Sequence, residues 1–65
     1  MIRVNDEAID HEPGLTVLSL LVRQGLASSM VAVWVGEEPI RRADYGTTPI
    51  PDEADVRIVL LVAGG

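Results

Sequence analysis

The sequence contains no cysteine among its 65 residues. It therefore excludes a disulfide framework, a thiolate metal site and a nucleophilic thiol. It also contains no lysine, since its five basic residues are all arginines: Arg3, Arg23, Arg41, Arg42 and Arg57. The side chains thus offer no amine for modification by other proteins.

Long apolar runs and positive charge are scarce as well. No stretch approaches the roughly 18 apolar residues of a membrane span, and the first residues are not apolar enough for a signal peptide, so we expect a cytoplasmic location. The net charge of -5 argues against nucleic acid as a partner, because phosphate binding needs clustered basic side chains. It favours a partner with a basic surface, and we expect no membrane partner.

The apolar content is high enough for folding. With 48% hydrophobic and 23% charged residues, the chain is too apolar for intrinsic disorder. A domain of this size buries only about 60% of its unfolded surface, so there is room for a single core. We expect one domain over residues 1–62 and a flexible tail over residues 63–65.

One amphipathic helix is predicted over Val17 to Gln24, where apolar residues recur at helical spacing. Thr16 stands at the N-cap position, and Gly25 follows as the stop signal. Leu15 and Leu20 occupy the positions of a hydrophobic staple.

Alternating apolar and polar residues predict five strands around this helix. Asn5-Asp6 is a turn sequence that joins the first two, and the third is expected to lie centrally in the sheet. Arg42 to Ala54 is predicted to be a loop, since Pro49 and Pro51 prevent regular pairing. The strands are Met1 to Asn5, Ala8 to His11, Met30 to Val35, a short edge strand from Ile40, and Val56 to Val62. The order β-β-α-β-β-β predicts an α+β fold, a mixed sheet wrapped around one helix in the β-grasp arrangement.

The sequence ends in Ala63-Gly64-Gly65, directly after a predicted strand. Two glycines leave the terminal carboxylate without neighbouring side chains, so such a tail can enter a narrow slot and approach a nucleotide closely. A frayed terminus is the alternative interpretation.

Several segments, in this order and spacing, resemble the ubiquitin-like sulfur carriers of bacteria, which include ThiS of thiamine biosynthesis and MoaD of molybdopterin biosynthesis. The likeness covers essentially the whole chain, and its short length with the segment Ile40 to Tyr45 favours ThiS over MoaD. The segments are Met1 to Glu7, Pro13 to Val17 leading into Leu20-Leu21, Val31 to Val33 with Gly36-Glu37, Ile40 to Arg42 with Asp44-Tyr45, and Asp55 to Val59 running into Val62 to Gly65.

The resemblance implies a chemistry at Gly65. An E1-like enzyme uses ATP to adenylate its carboxylate, sulfur from a persulfide displaces AMP, and the resulting thiocarboxylate donates sulfur to an acceptor enzyme. That acceptor is thiazole synthase for a ThiS-like carrier, or the molybdopterin synthase large subunit for a MoaD-like one. The carrier is then not an enzyme and binds no cofactor or metal. A ubiquitin-like interaction or conjugation module is the alternative from another class.

A docking face is predicted beside the tail. The last strand is apolar on both sides, although one helix can cover only one side of a sheet. If Ile58 and Leu60 face the core, then Val59, Leu61 and Trp34 lie on the open face, where an apolar patch marks a partner site. Alternatively, Trp34 wraps over the core edge.

The remaining polar candidates are two arginines, one histidine and two pairs of acidic residues. Arg41 and Arg42 either contact an acidic or phosphate group of a partner or protect the edge strand by charge. His11 is expected on the hairpin surface, and the pairs Glu37-Glu38 and Asp52-Glu53 are expected to be solvated turn residues.

Overall fold

A computed structural model describes residues 1–61 of the chain. Within them it contains one α-helix and a single five-stranded sheet of order β2-β1-β5-β3-β4. The elements are β1 (Ile2–Val4), β2 (Glu7–Ile9), α1 (Val17–Arg23), β3 (Val31–Val35), β4 (Glu38–Ile40) and β5 (Asp55–Leu60), with 3₁₀ turns at Ser28–Met30 and Arg42–Asp44. The predicted element order and the β-grasp arrangement are confirmed.

The sheet is mixed, and β5 lies at its centre. β5 runs parallel to β1 on one side and antiparallel to β3 on the other. The outer strands β2 and β4 pair antiparallel with β1 and β3. The third strand is therefore inside the sheet as predicted, but the central position belongs to the last strand.

The Asn5-Asp6 turn sets the register of the first hairpin. Both residues have left-handed backbones, with φ of 51° and 71°, as a two-residue turn between twisted strands requires. This tight turn pairs Val4 with Glu7. β2 consequently spans Glu7–Ile9, and the predicted strand from Ala8 to His11 was placed one to two residues too late.

The helix begins and ends where its signals predict. Thr16 and Ser19 form a capping box, in which the Ser19 N–H donates to the Thr16 hydroxyl and the Thr16 N–H to the Ser19 hydroxyl. At the other end Gly25, with φ of 71°, donates to Val22 while Leu26 donates to Leu21, which is the Schellman arrangement.

The β3–β4 hairpin differs from its prediction. Gly36-Glu37 is a two-residue turn that pairs Val35 with Glu38, so β4 covers Glu38–Ile40 and ends at Ile40 rather than beginning there. Pro39 is compatible with this position because β4 is an edge strand, where a missing N–H breaks no ladder.

The long loop before β5 contributes to the core, which the sequence analysis did not anticipate. Tyr45 and Ile50 are almost fully buried beside the helix residues Val17, Leu20 and Leu21. The loop also supplies carbonyls to the first turn of α1, since the Val17 N–H donates to Thr48 and the Leu18 N–H to Tyr45. These bonds satisfy donors that a helix start leaves free.

The only α-helix within residues 1–61 has seven residues. No helix in this part of the chain is long and apolar enough to cross a membrane.

Candidate docking site

The two sides of β5 have different surroundings. Val56 and Ile58 are buried against the helix side, whereas Arg57 and Val59 lie on the opposite side and are exposed. Alternate side chains of a strand point to opposite faces, and α1 covers only one of them. An open sheet face therefore exists, and Val59 lies on it as predicted.

Trp34 lies on the same open face, between two strands. It pairs with Arg57 of β5 on one side and with Pro39 of β4 on the other, so its ring is partly buried between neighbours. Trp34 and Val59 line one shallow depression, together with Arg57 and the acidic residues Asp6, Glu37 and Asp55 at its border. The structure thus brings together two of the predicted docking residues.

Leu61 extends this surface past the end of β5. Its N–H donates to the Met30 carbonyl at 2.8 Å, which continues the bonding between β5 and β3 by one residue. Because Leu61 is two residues beyond Val59, both side chains lie on the open face. Leu61 is 48% exposed, so it adds apolar surface there.

Leu60 corrects the sequence analysis, which placed it in the core with Ile58. Its side chain is 59% exposed. On the β1 side of β5, the chain turns away at Asn5, so no strand lies beside Leu60 there. Along β5 the buried positions thus end at Ile58, although Val31, the β3 partner of Leu60, is buried.

Arg41 and Arg42 lie apart from the depression. Both follow the end of β4, Arg41 at the cap of the 3₁₀ turn and Arg42 within it, and the Arg42 Nη2 donates to the Ser29 carbonyl at 3.5 Å. Neither residue belongs to β4, but Arg41 directly follows its last residue, so protection of the edge strand by their charge stays a prediction. A contact with a partner stays a prediction.

His11 is not the free surface residue that the sequence predicted. It is half-buried, and its Nε2 lies 2.9 Å from the Ile50 carbonyl oxygen. A carbonyl only accepts hydrogen bonds, so Nε2 carries the proton and donates. His11 thus ties the segment after β2 to the loop before β5.

The acidic pairs form no metal site within residues 1–61, where no three His, Asp or Glu side chains are placed to hold an ion. Glu37 and Glu38 are both exposed, but only Glu37 lies in the β3–β4 turn, whereas Glu38 is the first residue of β4 and not the predicted turn residue. Asp52 has a partner, since its carboxylate lies 2.6 Å from the N-terminal ammonium of Met1. That hydrogen bond raises the pKa of the ammonium and lowers the pKa of Asp52.

The chain matches no family model and no curated protein. Its fold is similar to a crystal structure of the thiamine biosynthesis protein ThiS from Geobacter metallireducens, with a TM-score of 0.79 and 25% sequence identity. The match covers 98% of this chain and 97% of that one. The fold of the chain is ThiS-like.

This likeness confirms the resemblance to ubiquitin-like sulfur carriers and the β-grasp fold. The expectation that the chain is a carrier and not an enzyme agrees with this likeness. The predicted residues of a ThiS-like tail, Ala63, Gly64 and Gly65, lie outside the described residues, as does Val62.

Asn5 is a residue of the ThiS-like fold whose role the sequence analysis missed. It was assigned only to the hairpin turn, yet its side-chain amide makes two hydrogen bonds to the backbone of Ile58. The sequence shows only that this turn residue is an asparagine, and the residue that its side chain contacts lies 53 positions away. Only the fold reveals the contact.

Proposed function

We propose that this protein is a sulfur carrier whose Gly65 carboxylate is the attachment point, in a pathway that forms the thiazole of thiamine. An E1-like enzyme joins the carboxylate to AMP from ATP and releases pyrophosphate. The outer sulfur of a persulfide then displaces AMP and gives an acyl disulfide. A thiol of a partner protein cleaves the S–S bond, which leaves Gly65 as a thiocarboxylate and the partner with a disulfide. The carrier contributes no general base and no metal ion, since its partners supply the catalytic groups.

The observation that carries this proposal is the ThiS-like fold over nearly the whole chain, combined with a sequence that ends in Gly64-Gly65. β5 lies at the centre of the sheet and is the last described strand before that ending. Residues 63–65 are then a tail that enters the nucleotide site of the activating enzyme. Glycine suits this task because it has no Cβ to obstruct the approach.

The open face beside β5 supports the choice of partners. Val59, Leu61 and Trp34 offer an apolar surface next to the strand that leads to the chain end. An activating enzyme that holds this surface would also direct the tail, and the acceptor enzyme would bind the same surface afterwards. Arg41 and Arg42, which lie apart from the depression, would contact an acidic or phosphate group of a partner, and all these proteins meet in the cytoplasm.

Intact-mass spectrometry tests the proposal. The protein is produced in a cell that has the activating enzyme, and the expected product has one oxygen replaced by sulfur at Gly65. Attachment to other proteins would support a conjugation module instead, and an unmodified mass would contradict both. Reconstitution with thiazole synthase or with the molybdopterin synthase large subunit separates the ThiS-like from the MoaD-like acceptor.

Two altered tails sharpen the test. Deletion of Gly65, or one residue added after it, should abolish ATP–pyrophosphate exchange with the activating enzyme. The melting temperature should stay unchanged, since the proposed tail lies outside the core. Normal exchange by an extended variant that is shown not to be trimmed would rule out Gly65 as the attachment point.

A further inference from the structure

β5 is paired unequally on its two sides. Towards β3 it is bonded along its whole length, from the Gly36 N–H donating to Asp55 to the Leu61 N–H donating to Met30. Towards β1 the strand pairing covers only Asp55 and Val56. The second half of β5 therefore has no strand on that side.

The backbone of β1 leaves the sheet at Asn5. The Asn5 N–H still donates to the Val56 carbonyl at 2.9 Å, but the left-handed Asn5 and Asp6 then turn the chain into β2. In a continued parallel ladder, the Asn5 carbonyl would accept from the Ile58 N–H, and the N–H two residues later would donate to the Ile58 carbonyl.

The side chain of Asn5 makes both of these bonds instead. Its Oδ1 accepts from the Ile58 N–H at 2.8 Å, and its Nδ2 donates to the Ile58 carbonyl at 2.9 Å. One amide thus replaces two backbone groups of a missing strand. Both Ile58 backbone groups would otherwise face a position that β1 has left.

We propose that Asn5 is a positioning residue that clamps the second half of β5 through Ile58 and so fixes the direction in which the chain leaves the sheet. The contact itself consists of the two hydrogen bonds between the Asn5 side chain and the Ile58 backbone. Its effect on activation rests on the proposed function, since it matters only if a partner must receive the end of the chain.

Amide hydrogen exchange tests the clamp without reference to function. Asn5→Gly removes both side-chain bonds but keeps a residue that accepts a φ of 51°. We expect exchange of the Ile58 N–H to accelerate on the order of tenfold relative to the helix amide of Leu20, because about one net hydrogen bond of local protection is lost. Equal acceleration at Ile58 and Leu20 would show only global destabilisation and would overturn the clamp.

Two further variants control the experiment. Asp6→Gly alters the same turn at a φ of 71° and should leave protection of Ile58 unchanged. Asn5→Asp keeps an acceptor for the Ile58 N–H but sets a second carboxylate oxygen against the Ile58 carbonyl. Protonation gives that oxygen a hydrogen to donate. Protection of the Ile58 N–H in this variant, relative to wild type, should therefore recover as the pH falls. No recovery would contradict the bidentate clamp, and this test remains usable if the glycine variant fails to fold.

Adenylation kinetics test the positioning effect. With saturating ATP and limiting activating enzyme, Asn5→Gly should lower kcat/KM for the carrier by about three- to tenfold, the range of one lost hydrogen bond. Val22→Ala, at an exposed position on the helix side of the domain, should leave kcat/KM unchanged. If Ile58 loses protection but kcat/KM is unchanged, Asn5 has no positioning role. If wild type is not adenylated at all, the proposed function fails and the exchange data alone decide the clamp.

Discussion

Tyr45 donates its hydroxyl to the backbone carbonyl of Val31 at 3.2 Å, in the interior of the domain. The contact joins the loop after the second 3₁₀ turn to the first residue of β3. Tyr45 is 3% exposed, so its ring belongs to the core even though it lies in a segment without regular structure. The loop before β5 is therefore part of the folded unit.

Tyr45→Phe isolates the hydroxyl from the ring. We expect a loss of about 1 kcal/mol in the free energy of unfolding, because the Val31 carbonyl loses a partner where water has little access. Tyr45→Ala should cost about 3–5 kcal/mol, as large aromatic truncations in cores do. Urea unfolding measures both losses. A free energy of unfolding that Tyr45→Ala leaves unchanged would show that the loop is not packed in solution.

Leu21 and Val22 are neighbours on α1 with opposite exposure, which gives a matched pair of truncations. Leu21 is fully buried, and Leu21→Ala should lower the free energy of unfolding by about 2–5 kcal/mol. Val22 is 70% exposed, and Val22→Ala should change it by no more than about 0.5 kcal/mol. Thermal melting by circular dichroism compares the two, and similar losses would contradict the helix orientation.

The open face gives a prediction about binding. Trp34→Ala and Leu61→Ala should each weaken binding to the activating enzyme by about 1–3 kcal/mol, the range for apolar anchors at an interface. Titration calorimetry measures the affinities, with Val22→Ala as the control for an exposed apolar residue on the opposite side of the domain. If affinity is unchanged while the melting temperature falls steeply, the docking surface must be sought around Arg41 and Arg42.

The ion pair between Met1 and Asp52 predicts a pH dependence of stability. The raised pKa of the ammonium stabilises the fold below the ordinary value of 8.0, and this contribution is lost as the pH rises through the higher folded pKa. The lowered pKa of Asp52 stabilises the fold above 3.8, and this contribution is lost as the pH falls through the lower folded pKa. The pair therefore contributes fully only between those two ordinary values.

Asp52→Asn should remove this dependence at both ends. Both groups are exposed to solvent, which screens their attraction, so we expect shallow slopes rather than a sharp transition. Urea unfolding of wild type and variant across acid, neutral and alkaline pH measures the difference. Glu37→Gln, with the same change of charge at the β3–β4 turn, should leave the slopes in place.

Local signals in the sequence determined the helix and both of its ends. Thr16, Ser19 and Gly25 act within one turn of the backbone they stabilise, so their effect does not depend on distant residues. Period-two alternation likewise separated the two faces of β5, since a pleated strand must point alternate side chains to opposite sides. The order of elements and the β-grasp arrangement followed from these signals.

Pairing between distant segments decided what the sequence could not. The burial of Tyr45 and Ile50, the bond from His11 to Ile50, and the exposure of Leu60 all depend on which segment lies opposite. So does the Asn5 side chain, whose amide completes a ladder with a residue 53 positions away. Alternation assigns a side chain to a face of the sheet, but only the tertiary structure determines whether another segment covers that face, because burial and hydrogen bonding are properties of neighbours in space.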